Sequence, residues 1–403
     1  RISPFLRQHL HSSQHGFIGG RSILDNILAV QLGIEYAQHS KQDTILLQLD
    51  FAKAFDTVRW DFITQVMNAM GFGHRMAHSI FTIAAQAQSF ISINGRLSSA
   101  VTLHRSIRQG CPLSPLLFAI ATHPMFVYLD SLADQQVLFG LSLPSKQMLG
   151  QGFADDTLLF LKACNINLQH CLEAIHQFSL AAGLTLNLQK STLIDISADH
   201  FDSIIWQGKR LPRGHIFRHL GYPLGVDVTS KQLTSWIASK IALKINYWKS
   251  SDWTPHVRLR IIQSILIPYL LFFLPLLPWT TCSLTPLISL IRIFFWGNHK
   301  SSIPLCKWSE VSTPIGQGGL GCLNLETHAI ARRMILLKNM FKKDQVWTDI
   351  LWALIHQAPS YFHGHWTLSS WDKLFSHAPC KIQGMISNLL TKTWKTHCAQ
   401  LSW

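Results

Sequence analysis

The sequence predicts an α+β fold over residues 1–225, with a central sheet, followed by a mostly helical region. Two observations carry that prediction. Strand-like and helix-like runs alternate as far as Gly225, which is the pattern of a sheet dressed with helices. Beyond Gly225 the apolar residues recur at helical spacing instead, with Ile237, Ile241, Ile245 and Trp248 on one stripe and Lys240, Lys244 and Lys249 off it.

The elements follow in order. Thr44–Leu49 is a short apolar run ending at Asp50, as expected for a buried strand that delivers a carboxylate at its end. Asp61–Met70 has helical spacing and stops at Gly71, a C-terminal cap. Phe90–Arg96 alternates and then turns at Asn94-Gly95, the strongest short hairpin signal. Ser114-Pro115 reads as an N-cap and first residue opening an apolar helix to Leu132. Gln151–Leu161 is two short strands around an acidic turn at Asp155-Asp156, Leu168–Ala182 a helix, and Leu184–Ile196 a strand with Lys190 inside it. No internal repeat or low-complexity tract interrupts this order.

Composition narrows the class. Of 403 residues 48% are hydrophobic and 14% charged, which excludes a disordered or solvating chain. The net charge of +14 favours a polyanionic partner, either nucleic acid or an anionic membrane surface, and 21 His can add to it at low pH. The eight Cys are scattered with no C-x-x-C pair, as in a reducing compartment, and the first ten residues are no signal peptide. Ile261–Trp279 carries no charge over 19 residues, close to the roughly 20 that a membrane helix requires. Pro268, Pro275 and Pro278 are expected to divide it, and Thr254-Pro255 opens it like a soluble helix, so a buried helix pair rather than stable membrane insertion is expected.

Asp50 and the Asp155-Asp156 pair are the chemistry-bearing residues. Either feature alone is ordinary in strand ends and turns. Two adjacent strands would bring them together, which is costly unless cations neutralise them. Carboxylates are the hard ligands Mg²⁺ prefers, and two ions about 3.5–4 Å apart serve phosphoryl transfer.

These blocks resemble the reverse transcriptases of LINE-type (non-LTR) retrotransposons. Gly16-Phe17-Ile18-Gly19-Gly20-Arg21-Ser22 with Asp25-Asn26-Ile27 resembles the fingers block, and Leu49-Asp50-Phe51-Ala52-Lys53-Ala54-Phe55-Asp56 motif A. Arg108-Gln109-Gly110-Cys111-Pro112-Leu113-Ser114-Pro115 is similar to motif B and Phe153-Ala154-Asp155-Asp156 to motif C. Gly183–Asn187 with Lys190-Ser191, then His219–Gly225, resembles motifs D and E. Trp308–Val311 and Gly318–Gly321 are similar, more loosely, to plant-type elements.

The resemblance implies a right-hand polymerase: an antiparallel palm sheet with helices and partial fingers over 1–225, a helical thumb and connection over 226–345, and a C-terminal helical segment of unknown role over 346–403. It implies that Asp50 and Asp155 hold two Mg²⁺, with the Phe51 carbonyl as a further ligand and Asp156 as a weaker one. Phe55 would be the steric gate selecting deoxynucleotides; a plain core Phe is the alternative. Gln109 and Gly110 would lie against the incoming nucleotide and Arg21 would fork its triphosphate. Lys190 would be the general acid for the leaving pyrophosphate or simply an electrostatic partner, and Leu220, Gly221 and Tyr222 the primer grip. The implied partners are an RNA template, a DNA primer and dNTPs, in the nucleus or cytoplasm and not outside the cell.

Two features depart from the family pattern. Ala121-Thr122-His123-Pro124 stands where relatives carry an acid before Pro, and the start at Arg1 lacks part of the fingers, as in an N-terminally truncated element. The expected function is RNA-directed DNA polymerase activity, against a catalytically inactive relic that only binds nucleic acid. His356, His363, His365, His377, Cys380, His397 and Cys398 lack zinc-ligand spacing.

Overall fold

The computed structural model describes residues 2–85, 87–144, 146–248, 253–276, 281–297, 306–340 and 346–356. The chain divides into two compact units, Arg1–Arg213 and Gly214–Trp403.

The first unit is built on five strands: β1 (Thr44–Leu49), β2 (Gly150–Phe153), β3 (Asp156–Lys162), β4 (Thr192–Asp195) and β5 (Lys209–Leu211). Their order is β5-β4-β1-β3-β2. Three of the pairings are antiparallel, as expected, but β4 and β5 run parallel. A parallel pair needs a crossover, which residues 196–208 supply with a short turn at Phe201–Ser203.

The apolar run Thr44–Leu49 becomes a strand because both of its faces are covered. Ile45, Leu47 and Leu49 join Leu159, Leu161 and Leu193 in one core with residues of α2 (Trp60–Ala69), α3 (Ser114–Asp134) and α4 (Asn165–Ala182). Leu46 pairs across with Phe160 and Ile194 on the opposite face. There α1 (Ile23–His39) lies against the sheet, and its Gly33 leaves the space the Phe160 ring fills: a Cβ would sit 2.8 Å from Phe160 Cζ.

Helix ends follow their caps. Ser22 and Asp25 form a capping box that opens α1, and Gly71 closes α2 at φ +84°. The helix α3 differs from expectation at its start: Leu113 is the cap, and Ser114 is a buried first residue whose N–H bonds the Cys111 carbonyl at 3.1 Å. Pro115 keeps its place in the first turn, where no helical N–H partner is lost. Asn94 (φ +50°) and Gly95 (φ +79°) make the two-residue hairpin turn between Ser92–Ile93 and Arg96–Leu97.

The second unit begins earlier than the expected boundary at 225. Strands β6 (Ile216–His219) and β7 (Tyr222–Gly225) pair only with each other, and the Gly214 N–H bonds the Val226 carbonyl at 2.8 Å. The segment therefore closes on itself rather than extending the five-stranded sheet. Helix α5 (Ser230–Tyr247), opened by a Thr229–Gln232 capping box, buries Ile237, Ile241 and Ile245 of the expected stripe together with Leu233, while Trp248, the fourth stripe residue, is the half-buried C-cap.

The apolar run does not break where expected. Pro255–Phe273 is one helix, α6, opened by Thr254 and passing through Pro268. Residues Ile262–Leu266 widen into a π turn, with the Ile267 N–H bonding the Ile262 carbonyl. That wider turn immediately precedes the proline and gives room where its ring would strike the preceding turn. Ser114–Asp134 and Pro255–Phe273 are each long and apolar enough to cross a membrane by length and composition alone. Each buries apolar side chains within its own unit: Phe118 and Phe126 in α3, Leu266 and Leu270 in α6. Helix Val346–His356 closes the described chain; the late His and Cys after His356, Lys249 and the residues from Leu277 to Trp279 lie outside the described residues.

Candidate active site

Strand β1 delivers Asp50 immediately after Leu49, which pairs with Thr157 of β3. Asp50 therefore leaves β1 at the same end of the sheet at which Asp156 opens β3. Ala154 and Asp155 form the two-residue turn joining β2 to β3, after the last pair Phe153↔Asp156. All three acids thus stand at one end of the sheet's central strands. Asp50 is half-buried, while Asp155 and Asp156 are exposed.

The backbone beyond β1 is stitched to the segment 184–191. The Asp50 N–H donates to Ser191 Oγ at 3.1 Å, the Asn187 N–H to the Asp50 carbonyl at 2.8 Å, and the Ala52 N–H to the Thr185 carbonyl at 2.8 Å. Phe51 makes an antiparallel bridge with Leu186. Lys190 sits in a turn, not in a strand as expected. The Asn187 carbonyl accepts from the N–H groups of Lys190 and Ser191, and Asn187 Oδ1 also accepts from Lys190, so the strand starts only at Thr192. Lys190 is exposed and adjoins Ser191, the hydroxyl that touches Asp50.

Asp50 and Asp155 make no side-chain hydrogen bond or ion pair with another described residue. Like charges gathered without a counter-cation repel, which makes this sheet end a place that favours a bound cation. No three His, Cys, Asp or Glu among the described residues close into a ready metal cage. An open set of carboxylates is nevertheless the donor chemistry of Mg²⁺, which keeps several waters and completes its shell with substrate phosphates. The residues present fit that ion.

The turn itself is held from the N-terminal side, by Ser13, Gln14, His15 and Asn26, to which the motif pattern assigns no role. Ala154 adopts φ +57°, a conformation a non-glycine residue rarely takes. Fully buried Gln14 brackets it: Gln14 Oε1 accepts from the Ala154 N–H at 3.1 Å, and Gln14 Nε2 faces the Ala154 carbonyl at 3.4 Å. The Gly152 carbonyl accepts from the His15 N–H at 2.8 Å and from Asn26 Nδ2 at 3.1 Å, and the Gly152 N–H donates to the Ser13 carbonyl at 2.8 Å. Gln14 precedes the Gly16-Phe17 block by two residues in a stretch with no periodicity, so only its place beside that block could have signalled it.

Arg21 is redirected from its expected role. Its guanidinium donates to the backbone carbonyls of Leu10, His11 and Gln14, and so binds the N-terminal loop together rather than presenting a fork to solvent. Phe55 is half-buried and stacks on Phe118 of α3, with ring centroids 4.5 Å apart. The Ile107 N–H bonds the Phe55 carbonyl at 2.7 Å and Trp60 Nε1 bonds the Ser106 carbonyl at 2.6 Å, which carries the exposed loop of Gln109 and Gly110 (φ +86°) in beside Phe55. Within the second unit, Leu220 (φ +50°) and Gly221 (φ +83°) make the tight turn between β6 and β7. Tyr222 is 2% exposed with its hydroxyl on the Phe273 carbonyl at 3.1 Å, so the turn's backbone, not the Tyr222 ring, is what that hairpin offers outward.

Residues 1–224 match the family model described as reverse transcriptase (RNA-dependent DNA polymerase). This chain belongs to the reverse transcriptase family. Its curated relatives include the Transposon TX1 uncharacterized 149 kDa protein of Xenopus laevis, 24% identical over 83% of this chain and 26% of that protein. They also include a retrovirus-related Pol polyprotein from the type-1 retrotransposable element R2 of Popillia japonica, 24% identical over 88% of this chain and 49% of the relative. The chain thus spans about a quarter to a half of the length of these relatives. Among solved structures, telomerase of Candida tropicalis in complex with a telomeric RNA fragment aligns over 93% of this chain and 55% of that one, at 9% identity and a TM-score of 0.43. The five-stranded sheet with α2, α3 and α4 lies wholly within the residues that match the family model.

The palm's N-terminal support has a pH signature. Burial pushes His15 down to about 4 and His123 likewise to about 4. Both folded values lie below the ordinary value of about 6.5, so the stability they contribute is present above pH 6.5 and is lost as pH falls from 6.5 towards 4. His15 alone accounts for a loss of order 3 kcal/mol across that window. The urea midpoint is expected to fall markedly between about pH 7.5 and about pH 5; a midpoint that holds or rises contradicts the buried neutral imidazoles.

Proposed function

We propose that this chain carries the polymerase core of a LINE-type, non-LTR retroelement reverse transcriptase: an RNA-directed DNA polymerase that extends a primer 3′-hydroxyl with deoxynucleotides on an RNA template. The observation that carries the reading is the gathering of Asp50, Asp155 and Asp156 at one end of the palm's central strands, with no counter-cation on Asp50 or Asp155 among the described residues. The names of the R2 relatives and the net charge of +14 support it.

Asp50 and Asp155, with the Phe51 carbonyl, are the residues that would hold two Mg²⁺, and Asp156 is a weaker partner. Bound there, the ions supply Lewis acidity, acidifying the primer 3′-hydroxyl and offsetting charge that develops on the transferred phosphorus. The rest falls to the protein's own groups. The Phe55 ring, braced by Phe118, lies as a fixed floor that leaves no room for a 2′-hydroxyl. Gln109 and Gly110 face the incoming nucleotide from an exposed loop, where the bare Gly110 backbone permits close approach. Lys190, held one residue from the Asp50 contact, is the proton source for the departing pyrophosphate. In the second unit the Leu220-Gly221 turn offers backbone groups to the primer. On α5, Lys240 lies over the Trp236 ring at 5.3 Å and Lys244 over Tyr269 at 4.6 Å, two cations that would meet phosphates of the template and primer.

Primer extension on poly(rA)/oligo(dT) with Mg²⁺ tests the reading directly. Incorporation of dTMP is expected; tight binding with no incorporation leaves only a nucleic-acid binder and overturns the enzyme. Sugar selection supplies a finer test. In Phe55→Ala the ratio of kcat/KM for rNTP over dNTP is expected to rise roughly 10- to 100-fold, the range one steric contact commands. An unchanged ratio reduces Phe55 to a stacking partner of Phe118.

A further inference from the structure

We propose that Gln14 is a positioning residue for the catalytic turn, setting the direction in which Asp155 points; the proposal rests on the polymerase reading above. Gln14 is completely buried, and its amide spends all of its hydrogen-bonding capacity locally. Oε1 accepts from two N–H groups, Gly16 at 3.1 Å and Ala154 at 3.1 Å. Nε2 donates to Thr122 Oγ1 at 2.9 Å and faces the Ala154 carbonyl at 3.4 Å.

The two Ala154 contacts lie on both sides of the one residue of the turn with positive φ. An alanine at φ +57° costs of order 1 kcal/mol and persists only where neighbours over-determine it. Gln14 supplies that determination by holding the residue's N–H and C=O together. Because Asp155 follows Ala154 directly, a turn that relaxes to negative φ re-aims the Asp155 carboxylate. The contact to Thr122 ties the same amide to α3, so the turn, the N-terminal loop and the helix that follows motif B share one polar hub.

Thr122 is itself satisfied from α3, its hydroxyl donating to the Phe118 carbonyl at 3.1 Å. Phe118 is the ring on which Phe55 stacks. The hub therefore touches the supports of both the metal-binding turn and the sugar-facing ring while touching no substrate itself.

The test compares three single variants of the whole chain. Gln14→Met keeps the volume and removes all four contacts. Asn167→Ala is the stability control: Asn167 is equally buried and clamps the Phe139 N–H and carbonyl at 2.8 Å each, at the opposite end of β3 from the acids. Asp155→Ala marks the loss of the carboxylate. Primer extension and Mn²⁺ titration by electron paramagnetic resonance are read side by side.

Gln14→Met is expected to lower kcat roughly 30- to 100-fold with the dNTP KM within about twofold, the effect of misplacing a reacting group by a fraction of an ångström to an ångström. It is also expected to weaken Mn²⁺ binding about tenfold, towards the Asp155→Ala value. Asn167→Ala is expected to lose stability comparably while keeping both readouts near the wild-type value. Wild-type kcat and Mn²⁺ affinity in a folded Gln14→Met chain overturn the proposal, as does an equal kcat loss in Asn167→Ala. Should the wild-type chain incorporate nothing, the polymerase reading falls, and the Mn²⁺ titration alone then decides whether Gln14 orients Asp155.

Discussion

Asp155→Ala is expected to reduce primer extension by on the order of 10³-fold or more while leaving the protein at least as stable as the wild type. Both halves follow from the same geometry. Asp155 is exposed at the apex of the β2–β3 turn and makes no hydrogen bond or ion pair with another described residue, so its truncation removes no packing. Surface substitutions of that kind change stability by about 0.5 kcal/mol or less. Here the balance tips towards a gain, because Asp155 adjoins Asp156 and stands at the same end of the sheet as Asp50. Activity responds oppositely, since a metal ligand is worth several kcal/mol of transition-state stabilisation and each 1.4 kcal/mol is about tenfold in rate. The measurement is dNTP incorporation beside a urea titration. A variant that both loses activity and loses stability would show that Asp155 is part of the scaffold and refute its role as a ligand.

The second large effect is expected at Gly16. A Cβ added there would lie 2.5 Å from the Ala154 backbone nitrogen, 3.2 Å from the Phe153 carbonyl carbon and 3.3 Å from Ala154 Cα. All three are backbone atoms of the catalytic turn, so no side chain can swing aside to make room. Gly16→Ala must push the N-terminal loop and the turn apart, at a cost of about 1–3 kcal/mol for overpacking a close contact. The displacement falls on the residue before Asp155, and a shift of about 1 Å there is worth roughly 10²-fold in rate. Gly19→Ala is the matched control, since its Cβ meets only Ser3 Oγ at 3.5 Å, an ordinary contact. Thermal unfolding and kcat are measured for both; equal behaviour of the two variants would show that the approach at Gly16 does not bear on the turn.

Much of the palm was legible because its elements are encoded locally. Thr44–Leu49 is a run too short for a helix and apolar on both faces, and it is β1. The Asn94-Gly95 hairpin, the cap at Gly71 and the Thr254 start of α6 rest on turn and cap chemistry that acts within three or four residues. Expectation and structure part where hydrogen bonds that an apolar pattern does not encode decide the local path. Lys190 was read into a strand because Leu184–Ile196 is apolar enough, but Asn187 bonds ahead to Lys190 and Ser191, and the segment's backbone is taken up by the end of β1. Pro268 predicts a break, and a π turn that ends two residues earlier, at Leu266, absorbs it. The motif around Arg21 implies a triphosphate fork, while its guanidinium donates to three backbone carbonyls of residues 10–14, contacts that the motif does not state.

The sequence by itself determined the chemistry and its order along the chain: the acids, their strand and turn, the Phe after motif A, the glycine of motif B and a basic balance suited to phosphates. These are residue identities at short spacings, and short spacings fix local conformation. Only the tertiary structure decided how those pieces are held. That Gln14 closes on Ala154, 140 residues away, that Ser191 meets the Asp50 N–H, and that the 214–226 hairpin folds with the second unit all depend on partners far away in the sequence. A buried donor or acceptor must find a partner somewhere, but nothing in the local sequence states where, because the cost of leaving it unpaired is settled only when the whole core closes.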